Sequence, residues 1–530
     1  MKKLRCVLAY VLAVLVLVAP TATFAQQRPT AGRAVEEKSI AELQAEMTTG
    51  RTTSERIVRA YLARVDSIDR QGPTLRSVIA VNPDAVAQAR ALDAERRAGR
   101  MRGPLHGVPI LVKDNIETLD PVATTAGSLA LAQNVTGRDA PVIVRLRAAG
   151  AVILGKTNLS EWANIRSGDS TSGWSAINGR TRNPYALDRN PCGSSSGSGA
   201  ATAASLAAAS LGTETDGSIV CPSSANGIVG IKPTVGLVSR THIIPISATQ
   251  DTAGPMARSV ADAAALLTAM AGSDGADAAT AQADAKKADY MAALDENALV
   301  GKRIGVARFL AGWHGATDAV FNEAIAALRA GGAEIVEIAE GPPRGEIGPA
   351  EFAVLLTELK AGLNAYLAST SPERVKVRTL ADVIAFNKAE PRELALFGQE
   401  IFEQAEATKG LSDPAYLAAA AKAKRLAGAE GIDALMAQHR LDALIAPTGS
   451  PAWTSDTVLG DRFVGGSSTL AAVSGYPNIT VPMGYVRGLP VGLSIFGAAW
   501  SEAKLIGIAY AFEQRTKARR APTYLPTLPE

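Results

Sequence analysis

Two small-residue segments decide how this chain is interpreted: Cys192-Gly-Ser-Ser-Ser-Gly-Ser-Gly199 and Gly212-Thr-Glu-Thr-Asp-Gly-Ser218-Ile-Val-Cys-Pro222. They place Ser194 and Ser218 in backbone settings that only small residues permit. Upstream, Lys113 ends the apolar run Val108-Pro-Ile-Leu-Val112. Two serines and a lysine, with no histidine in either serine segment, predict nucleophilic chemistry that runs on an unusual proton relay.

The pattern around these segments predicts an α/β fold with a central mixed sheet covered by helices. Strand-like runs alternate with helical ones at 76–81, 83–97, 108–112, 142–149 and 152–154. The alanine-rich stretch 200–211 is predicted to be a small-residue helix that approaches the sheet closely. Residues 274–440 form a long middle region with a strand–helix–strand pattern at 303–338. We predict one large domain, 39–530, with a helical insertion around 274–440.

The first 25 residues have the layout of a secretory signal. Lys2, Lys3 and Arg5 precede an apolar run, which is followed by Pro20 and small residues up to Ala25. The apolar run is shorter than the ~20 residues of a membrane span, so a retained anchor is the weaker interpretation. We expect an exported protein, periplasmic or secreted, without stable membrane insertion once the signal is removed. Residues 26–38 are polar and predicted to be flexible.

Composition excludes several classes of protein. The chain has 530 residues, of which 47% are hydrophobic, enough for a large core. The 54 basic residues exceed the 51 acidic ones only by the three in the signal, so no nucleic-acid partner is predicted. No metal-binding spacing is present, and neither a metal nor a cofactor is predicted. Cys192 and Cys221 would suffice for one disulfide, which a core of this size does not require.

Activation of a serine is the central chemical question. A serine hydroxyl needs an adjacent base, and the usual base is histidine. The nearest candidate, His106, lies in a Gly/Pro turn and is more simply structural. Lys113 follows an apolar run, and burial would lower its pKa enough to supply a neutral amine. The alternative is that Lys113 forms an ion pair, for which Asp114 is the adjacent partner.

The Gly/Ser segment 193–199 has three other interpretations. A flexible linker is disfavoured because a helix-forming stretch follows at once. A phosphate-binding loop would end in Gly-Lys-Ser/Thr, which is absent. A nucleophile elbow at Ser195 formally fits Gly-x-Ser-x-Gly, but an elbow needs a strand immediately before it. The preceding segment Asn183-Pro-Tyr-Ala-Leu-Asp-Arg-Asn-Pro191 is a poor strand.

With these segments in view, the sequence resembles the amidase signature family. The Gly/Ser-rich signature corresponds to residues 192–222, and Lys113 also matches. Further matching segments are Thr124-Thr-Ala-Gly-Ser128, Thr157-Asn-Leu-Ser-Glu161, Gly227-Ile-Val-Gly-Ile-Lys-Pro233, Asp251-Thr-Ala-Gly-Pro255 and Gly475-Tyr-Pro-Asn-Ile-Thr-Val-Pro482. They span most of the chain.

The resemblance implies the amidase signature fold and hydrolysis of carboxamide bonds through a Ser–cis-Ser–Lys triad and an acyl-enzyme. Ser218 corresponds to the nucleophile, Ser194 to the bridging serine after a cis peptide bond, and Lys113 to the base. The backbone of Thr215, Asp216, Gly217 and Ser218 corresponds to the oxyanion hole.

Asp216 departs from the commonest family pattern, in which two glycines precede the nucleophile. Its side chain must turn away from the oxyanion. It would then meet either a substrate N–H or a structural partner.

The sequence indicates the substrate less clearly than it indicates the catalytic residues. Val220 and Cys221 stand where many members carry an arginine, which argues against a small anionic substrate. The overall pattern looks most like the bacterial peptide amidases, so a small-molecule or peptide amide is expected, with C-terminal peptide amides the first candidate. Trp162 and Trp174 either pack in the core or line the substrate groove.

Three alternatives to a peptide amidase remain. The first is a broad-specificity hydrolase of aryl, aliphatic or fatty amides. The second is an inactive exported binding protein, which retention of all three triad residue types opposes. The third is a component of a transamidation complex of the same family that works on charged tRNA, which the export signal and neutral charge oppose.

Overall fold

The computed structural model describes residues 33–529, so the predicted signal 1–25 lies outside the described residues. In chain order, its strands are β1 Val78–Val81, β2 Pro109–Lys113, β3 Val152–Thr157, β4 Trp174–Ser175, β5 Gly179–Arg180, β6 Ala209–Glu214, β7 Val229–Lys232, β8 Thr252–Ala257, β9 Arg303–Ala307, β10 Glu334–Ile338, β11 Ala443–Pro447, β12 Asn478–Val486 and β13 Leu489–Phe496.

Within the described residues, eleven strands form one mixed sheet in the order β1-β3-β2-β6-β8-β7-β12-β13-β11-β9-β10. Parallel pairing joins β3, β2 and β6, and again β11, β9 and β10, while the strands between them pair antiparallel. Strands β4 and β5 form a separate hairpin. Every residue of β2, β3, β6 and β8 is buried. Burial on both faces gives the apolar runs of β2 and of the first half of β3, whereas β6 and β8 are buried with small and polar residues.

The α-helices are α1 Ile40–Thr48, α2 Ser54–Arg64, α3 Ala85–Arg97, α4 Pro141–Ala148, α5 Ser196–Ala203, α6 Val220–Ala225, α7 Val260–Met270, α8 Ala283–Lys286, α9 Gly315–Ala330, α10 Arg344–Ala368, α11 Leu380–Ala389, α12 Glu400–Glu406, α13 Pro414–Lys424, α14 Ala434–His439, α15 Thr469–Ser474 and α16 Glu502–Thr516. Helices α5 and α6 contact each other over the central strands, and α7, α9 and α16 form a second contacting set. The predicted α/β fold with helices covering a mixed sheet is confirmed. Within residues 33–529, no helix is long and apolar enough to cross a bilayer.

The long middle region contributes to both the sheet and a helical lobe. Strands β9 and β10, with α9 between them, extend the central sheet next to β11. Helices α10 to α14 follow, with the π-helical segment Arg425–Asp433 joining α13 to α14. Within the predicted insertion 274–440, the run of consecutive helices without an intervening strand extends from Arg344 to His439.

The alanine-rich stretch 200–211 is not one helix, and that prediction is wrong. Helix α5 begins earlier, at Ser196, and ends at Ala203, after which Ala209–Glu214 forms the central strand β6. The glycines of α5 are required by close packing: a Cβ on Gly197 would lie 2.3 Å from Ser77 O and 2.4 Å from Asn158 O. The backbone of α5 therefore touches neighbouring backbone directly, which fixes the position of Ser194 just before it.

The polar N-terminal segment is anchored where the structure describes it. Val35 is buried, and Glu37 pairs with Arg519 and accepts a hydrogen bond from Ser205 Oγ at 2.9 Å. The described end of the predicted flexible segment 26–38 is therefore held on the domain.

A buried charge cluster attaches the helical lobe to the segments before the Gly/Ser loop. Arg166 Nη1 lies 2.7 Å from a carboxylate oxygen of Glu161 and 3.5 Å from one of Glu393, with all three side chains fully buried. Glu393 also accepts hydrogen bonds from Ser128 Oγ at 3.0 Å and from Leu129 N at 2.6 Å. The segments 124–128 and 157–161 thus meet the lobe here, far in sequence from Glu393.

Candidate active site

The structure brings Lys113, Ser194 and Ser218 into one hydrogen-bonded line. Lys113 Nζ lies 2.8 Å from Ser194 Oγ, and Ser194 Oγ lies 2.9 Å from Ser218 Oγ. Lys113 stands at the end of β2, Ser194 directly before α5, and Ser218 between β6 and α6. The Gly193–Ser194 peptide bond is cis. Lys113 and Ser194 are fully buried, and Ser218 is 9% exposed, so the line leads from the protein interior to an accessible hydroxyl.

The amine of Lys113 is held in its place by Thr213. Its Nζ donates to Thr213 Oγ1 at 2.8 Å and to Thr213 O at 3.2 Å, and Asn115 Nδ2 donates to the same hydroxyl at 2.9 Å. A neutral amine has two N–H groups and one lone pair. When both N–H groups point at Thr213, the lone pair is left for the hydroxyl of Ser194.

Burial lowers the pKa of Lys113 to about 7, and the carboxylates of Asp251 and Glu214 oppose that shift. Burial removes water from the ammonium form and so disfavours it. Within the described residues, no carboxylate forms an ion pair with Lys113 that would offset this cost. The alternative pairing with Asp114 is not what the structure shows. Asp114 lies 3.4 Å from Lys156 Nζ instead. A large fraction of Lys113 is therefore a neutral amine at pH 7, and the neutral form predominates above it.

The turn that carries Ser218 is held by Glu214. One carboxylate oxygen of Glu214 accepts hydrogen bonds from Ile219 N at 2.7 Å and from Val220 N at 3.0 Å. Gly217, directly before the serine, has φ of +80°, a conformation that favours glycine. The carboxylate and the glycine together fix the direction of the Ser218 side chain.

The backbone N–H groups at and just before Ser218 are available to bind a substrate oxygen. Within residues 33–529, no group accepts a hydrogen bond from the backbone N–H of Asp216, Gly217 or Ser218. The adjoining Thr215 is fixed through its side chain, whose Oγ1 donates to Asp251 at 2.6 Å, and its carbonyl accepts from Gln250 Nε2 at 3.3 Å. Asp251 also accepts from the backbone N–H groups of residues 246 and 247. This loop has the donors and the rigidity that an oxyanion hole requires.

Two cavities reach the serine-bearing loop. The first, about 410 Å³ and here called the Trp453 cavity, is lined by Asp216, Gly217, Val220, Trp453 and Phe463, among others. The second, about 220 Å³ and here called the Asn115 cavity, is lined by Asn115, Thr213, Thr215, Ile244 and Asp251, among others. The larger cavity lies on the Asp216 side of the loop, and the smaller one lies beside the residues that hold Lys113.

The wall of the Trp453 cavity is a surface loop pinned by one carboxylate. Asp461 accepts hydrogen bonds from Trp453 Nε1 at 3.1 Å, Asn190 Nδ2 at 2.9 Å and Ser172 N at 2.9 Å. The rings of Trp453 and Phe463 meet edge to face at 5.8 Å. The same loop carries the exposed apolar residues Val458, Leu459 and Val464. The cavity therefore has two aromatic rings in a wall that is otherwise mostly polar.

A family model described as Amidase matches residues 56–506 of the chain. The chain belongs to this family. The predicted membership in the amidase signature family is thereby confirmed, and this protein is an amide-hydrolysing enzyme. Among the relatives is a probable amidase of Arabidopsis thaliana, 41% identical over 522 residues that cover 96% of each chain. A glutamyl-tRNA(Gln) amidotransferase component from Synechococcus sp. is 37% identical, covering 93% of this chain and 95% of its own.

The native peptide amidase from Stenotrophomonas maltophilia is similar in both sequence and structure. It is 56% identical, with a TM-score of 0.88 over 92% of this chain and 99% of its own. A peptide amidase structure in complex with the competitive inhibitor chymostatin matches with the same identity and a TM-score of 0.89, covering 92% of this chain and 100% of that one.

Several residues of this amidase lie away from the relay. Ser195 Oγ donates to Thr213 O at 3.0 Å and does not take part in the Lys113–Ser194–Ser218 line. His106 is buried, with Nε2 2.9 Å from Leu92 O. Trp162 packs in the lobe interface against Phe402, and Trp174 packs against Phe397. These placements agree with a structural role for His106 and with core packing, rather than substrate contact, for Trp162 and Trp174.

Sequence reasoning missed four residues of this amidase that position the site: Asn115, Thr213, Glu214 and Asp251. Thr213, Glu214 and Asp251 stand inside segments that the sequence singles out, and Asn115 follows Lys113 by two residues, but no local pattern reveals which group each side chain would meet.

Cys192 and Cys221 form a disulfide, with their Cα atoms 6.0 Å apart. The disulfide ties the segment before Ser194 to α6, which follows Ser218.

Proposed function

We propose that this amidase removes the C-terminal amide from peptides, with Ser218 as nucleophile, Ser194 as bridging serine and Lys113 as base. The observation that carries the proposal is the unbroken line from Lys113 Nζ through Ser194 Oγ to Ser218 Oγ, with separations of 2.8 and 2.9 Å. Among the described residues, no histidine stands within this line.

In the proposed reaction, Ser218 Oγ attacks the amide carbonyl while its proton passes to Ser194 Oγ and the proton of Ser194 passes to Lys113. The carbonyl π electrons move onto oxygen, where the backbone N–H groups of residues 216–218 stabilise the negative charge. Collapse of this tetrahedral intermediate breaks the C–N bond. Lys113 returns its proton through Ser194 to the leaving nitrogen, which departs as ammonia.

Water then hydrolyses the acyl-enzyme by the same route. The relay takes a proton from water as the water oxygen attacks the ester carbonyl. The second tetrahedral intermediate expels Ser218 Oγ, which recovers its proton from the relay. The peptide leaves as a carboxylic acid that loses its proton to solvent, and the relay returns to its starting protonation.

The two cavities support an assignment of the two halves of the substrate. The leaving nitrogen must receive its proton from Ser194, so it lies on the Lys113 side, where the smaller Asn115 cavity is found. The acyl half then lies in the larger Trp453 cavity, where the rings of Trp453 and Phe463 suit an aromatic side chain and the polar wall suits a peptide backbone. The 56% identity to the peptide amidase further supports this substrate class.

A substrate panel tests this proposal. We expect ammonia release from N-acetyl-L-phenylalaninamide and longer amidated peptides to exceed hydrolysis of butyramide, of an anilide and of a fatty amide in kcat/KM. An aromatic residue next to the amide fills the Trp453 cavity, and butyramide leaves it unfilled. Preference for the anilide or the fatty amide would instead establish the broad-specificity alternative. No turnover of any amide by folded enzyme would contradict both.

We also propose that the enzyme is exported, after removal of residues 1–25. The basic, apolar and small-residue order of these residues supports this, and so does the Cys192–Cys221 disulfide, since disulfides persist in oxidising compartments. N-terminal sequencing of the protein from the periplasmic or culture fraction should start at Gln26. Its two remaining cysteines should resist alkylation until reduced. A cytosolic protein with its N-terminal segment intact and free thiols would contradict export.

A further inference from the structure

Asp216 occupies a position in the Trp453 cavity that the proposed mechanism does not explain. Thr469 Oγ1 donates to its Oδ2 at 2.8 Å. Its Oδ1 is buried and accepts no hydrogen bond within the described part of the chain. Asp216 lines the cavity beside Gly217 and Val220. One oxygen is thus anchored by Thr469, and the other, with the hydroxyl of Ser468 nearby, accepts no hydrogen bond of normal geometry within the described residues.

Burial and the groups around Asp216 act on its pKa in opposite directions. Burial raises its pKa, but the hydroxyls of Ser468 and Thr469 and the charge of Lys232 oppose that shift. Its neighbour Glu351, on α10, has one amide donor, Gln250 Nε2 at 2.9 Å. Burial and the charge of Asp216 raise the pKa of Glu351 to about 8. The hydrogen bond from Thr469 and the charge of Lys232 favour the ionised form of Asp216, in which both oxygens accept hydrogen bonds.

A buried carboxylate with an unpaired oxygen needs a donor. The substrate's acyl half offers one if it is a peptide, because the carbon next to the scissile carbonyl then bears an N–H. Simple aliphatic and aryl amides have no N–H at that place. The developing oxyanion is not the partner, since two negative charges would repel each other.

We propose that Asp216 Oδ1 accepts a hydrogen bond from the α-nitrogen of the residue whose amide is cleaved, and so selects peptide amides over simple carboxamides. This rests on the proposed function, in which the acyl half occupies the Trp453 cavity. Asp216 is then a specificity-determining residue. Its backbone N–H stabilises the oxyanion, and its side chain accepts a hydrogen bond from the substrate.

The test compares N-acetyl-L-phenylalaninamide with O-acetyl-3-phenyllactamide, an isostere in which oxygen replaces the N–H, by ammonia release. The native enzyme should prefer the N–H substrate by roughly 10- to 100-fold in kcat/KM, the range for one hydrogen bond to a charged group. In Asp216→Gly, which restores the common family residue, this ratio should fall to within about threefold. Asp216→Asn keeps an acceptor oxygen and a similar volume, and should give an intermediate ratio.

Equal rates on the two substrates by the native enzyme would overturn the inference while leaving peptide amidase activity intact. So would an unchanged ratio in folded Asp216→Gly, with both rates falling together, because Asp216 would then serve only to anchor Thr469. Failure of the native enzyme on all amidated peptides would instead count against the proposed function.

Discussion

Ser218→Ala should lower kcat on an amidated peptide on the order of 10⁶-fold, as expected when the nucleophile of a catalytic triad is removed. The remaining relay has no oxygen within reach of the substrate carbonyl, because Ser194 is fully buried behind Ser218. The substitution removes one hydroxyl with little change in volume, so the melting temperature should change by only a few degrees. Steady-state ammonia release and thermal unfolding provide the two measurements.

Ser223→Ala is the matched control. Ser223 lies in α6, the helix that follows the nucleophile, and its buried hydroxyl has no hydrogen-bond partner within residues 33–529. Its loss should leave turnover near that of the native enzyme. A fluorophosphonate probe should label the native enzyme and Ser223→Ala at Ser218, and leave Ser218→Ala unlabelled. Substantial turnover by Ser218→Ala, or labelling at another serine, would remove Ser218 from the mechanism.

The relay could be predicted from sequence because each member stands in its own recognisable segment. Lys113 ends an apolar strand, and the serines stand in glycine-rich segments that resemble a known signature. Strands β2 and β3 were visible for a similar reason: burial on both faces leaves runs of Val, Ile and Leu that local inspection detects. Local sequence pattern was enough to predict those features that depend on residues adjacent in the chain.

The failed helix at 200–211 shows where local pattern is insufficient. Alanine favours helix, and the stretch is rich in alanine, yet its last residues form the start of β6. Pairing with β2 and β8 on either side overrides the intrinsic preference. Conversely, α5 begins inside a Ser/Gly segment of poor helix propensity, because Gly197 permits contact with the backbone of Ser77 and Asn158. Both errors come from tertiary packing that no single segment contains.

The contacts that hold the site together were invisible for the same reason. Glu393 is 265 residues from its hydrogen-bond partner Ser128. The carboxylate of Glu214 is directed at the turn it caps only once β6 and α6 are in place. The disulfide needed a distance between Cys192 and Cys221 that the sequence does not contain. Sequence therefore predicted which residues react, and the structure shows what orients them.

Lys113→Met should lower kcat at least about 10³-fold, within the contribution of a general base. Methionine fills a similar volume and has no titratable group, so the fold should be retained. Lys113→Arg is the complementary variant: its guanidinium stays protonated at all working pH values, so it should also be inactive. A lysine with a purely structural role would give the opposite result, a lowered melting temperature with near-normal turnover.

The pH dependence of kcat/KM distinguishes the lysine base from other roles of Lys113. The relay needs the lone pair of the neutral amine, and burial places the Lys113 pKa at about 7. The proton-bound form, which predominates below that pH, cannot accept the proton of Ser194. Activity of the native enzyme should therefore be constant above the pKa and fall about tenfold per pH unit well below it. The residual activity of Lys113→Met should lack this acid limb. A flat profile for the native enzyme from about pH 5 to 9 would contradict a lysine tuned near neutrality, because burial of the amine beside Thr213 is what makes Ser218 reactive without a histidine.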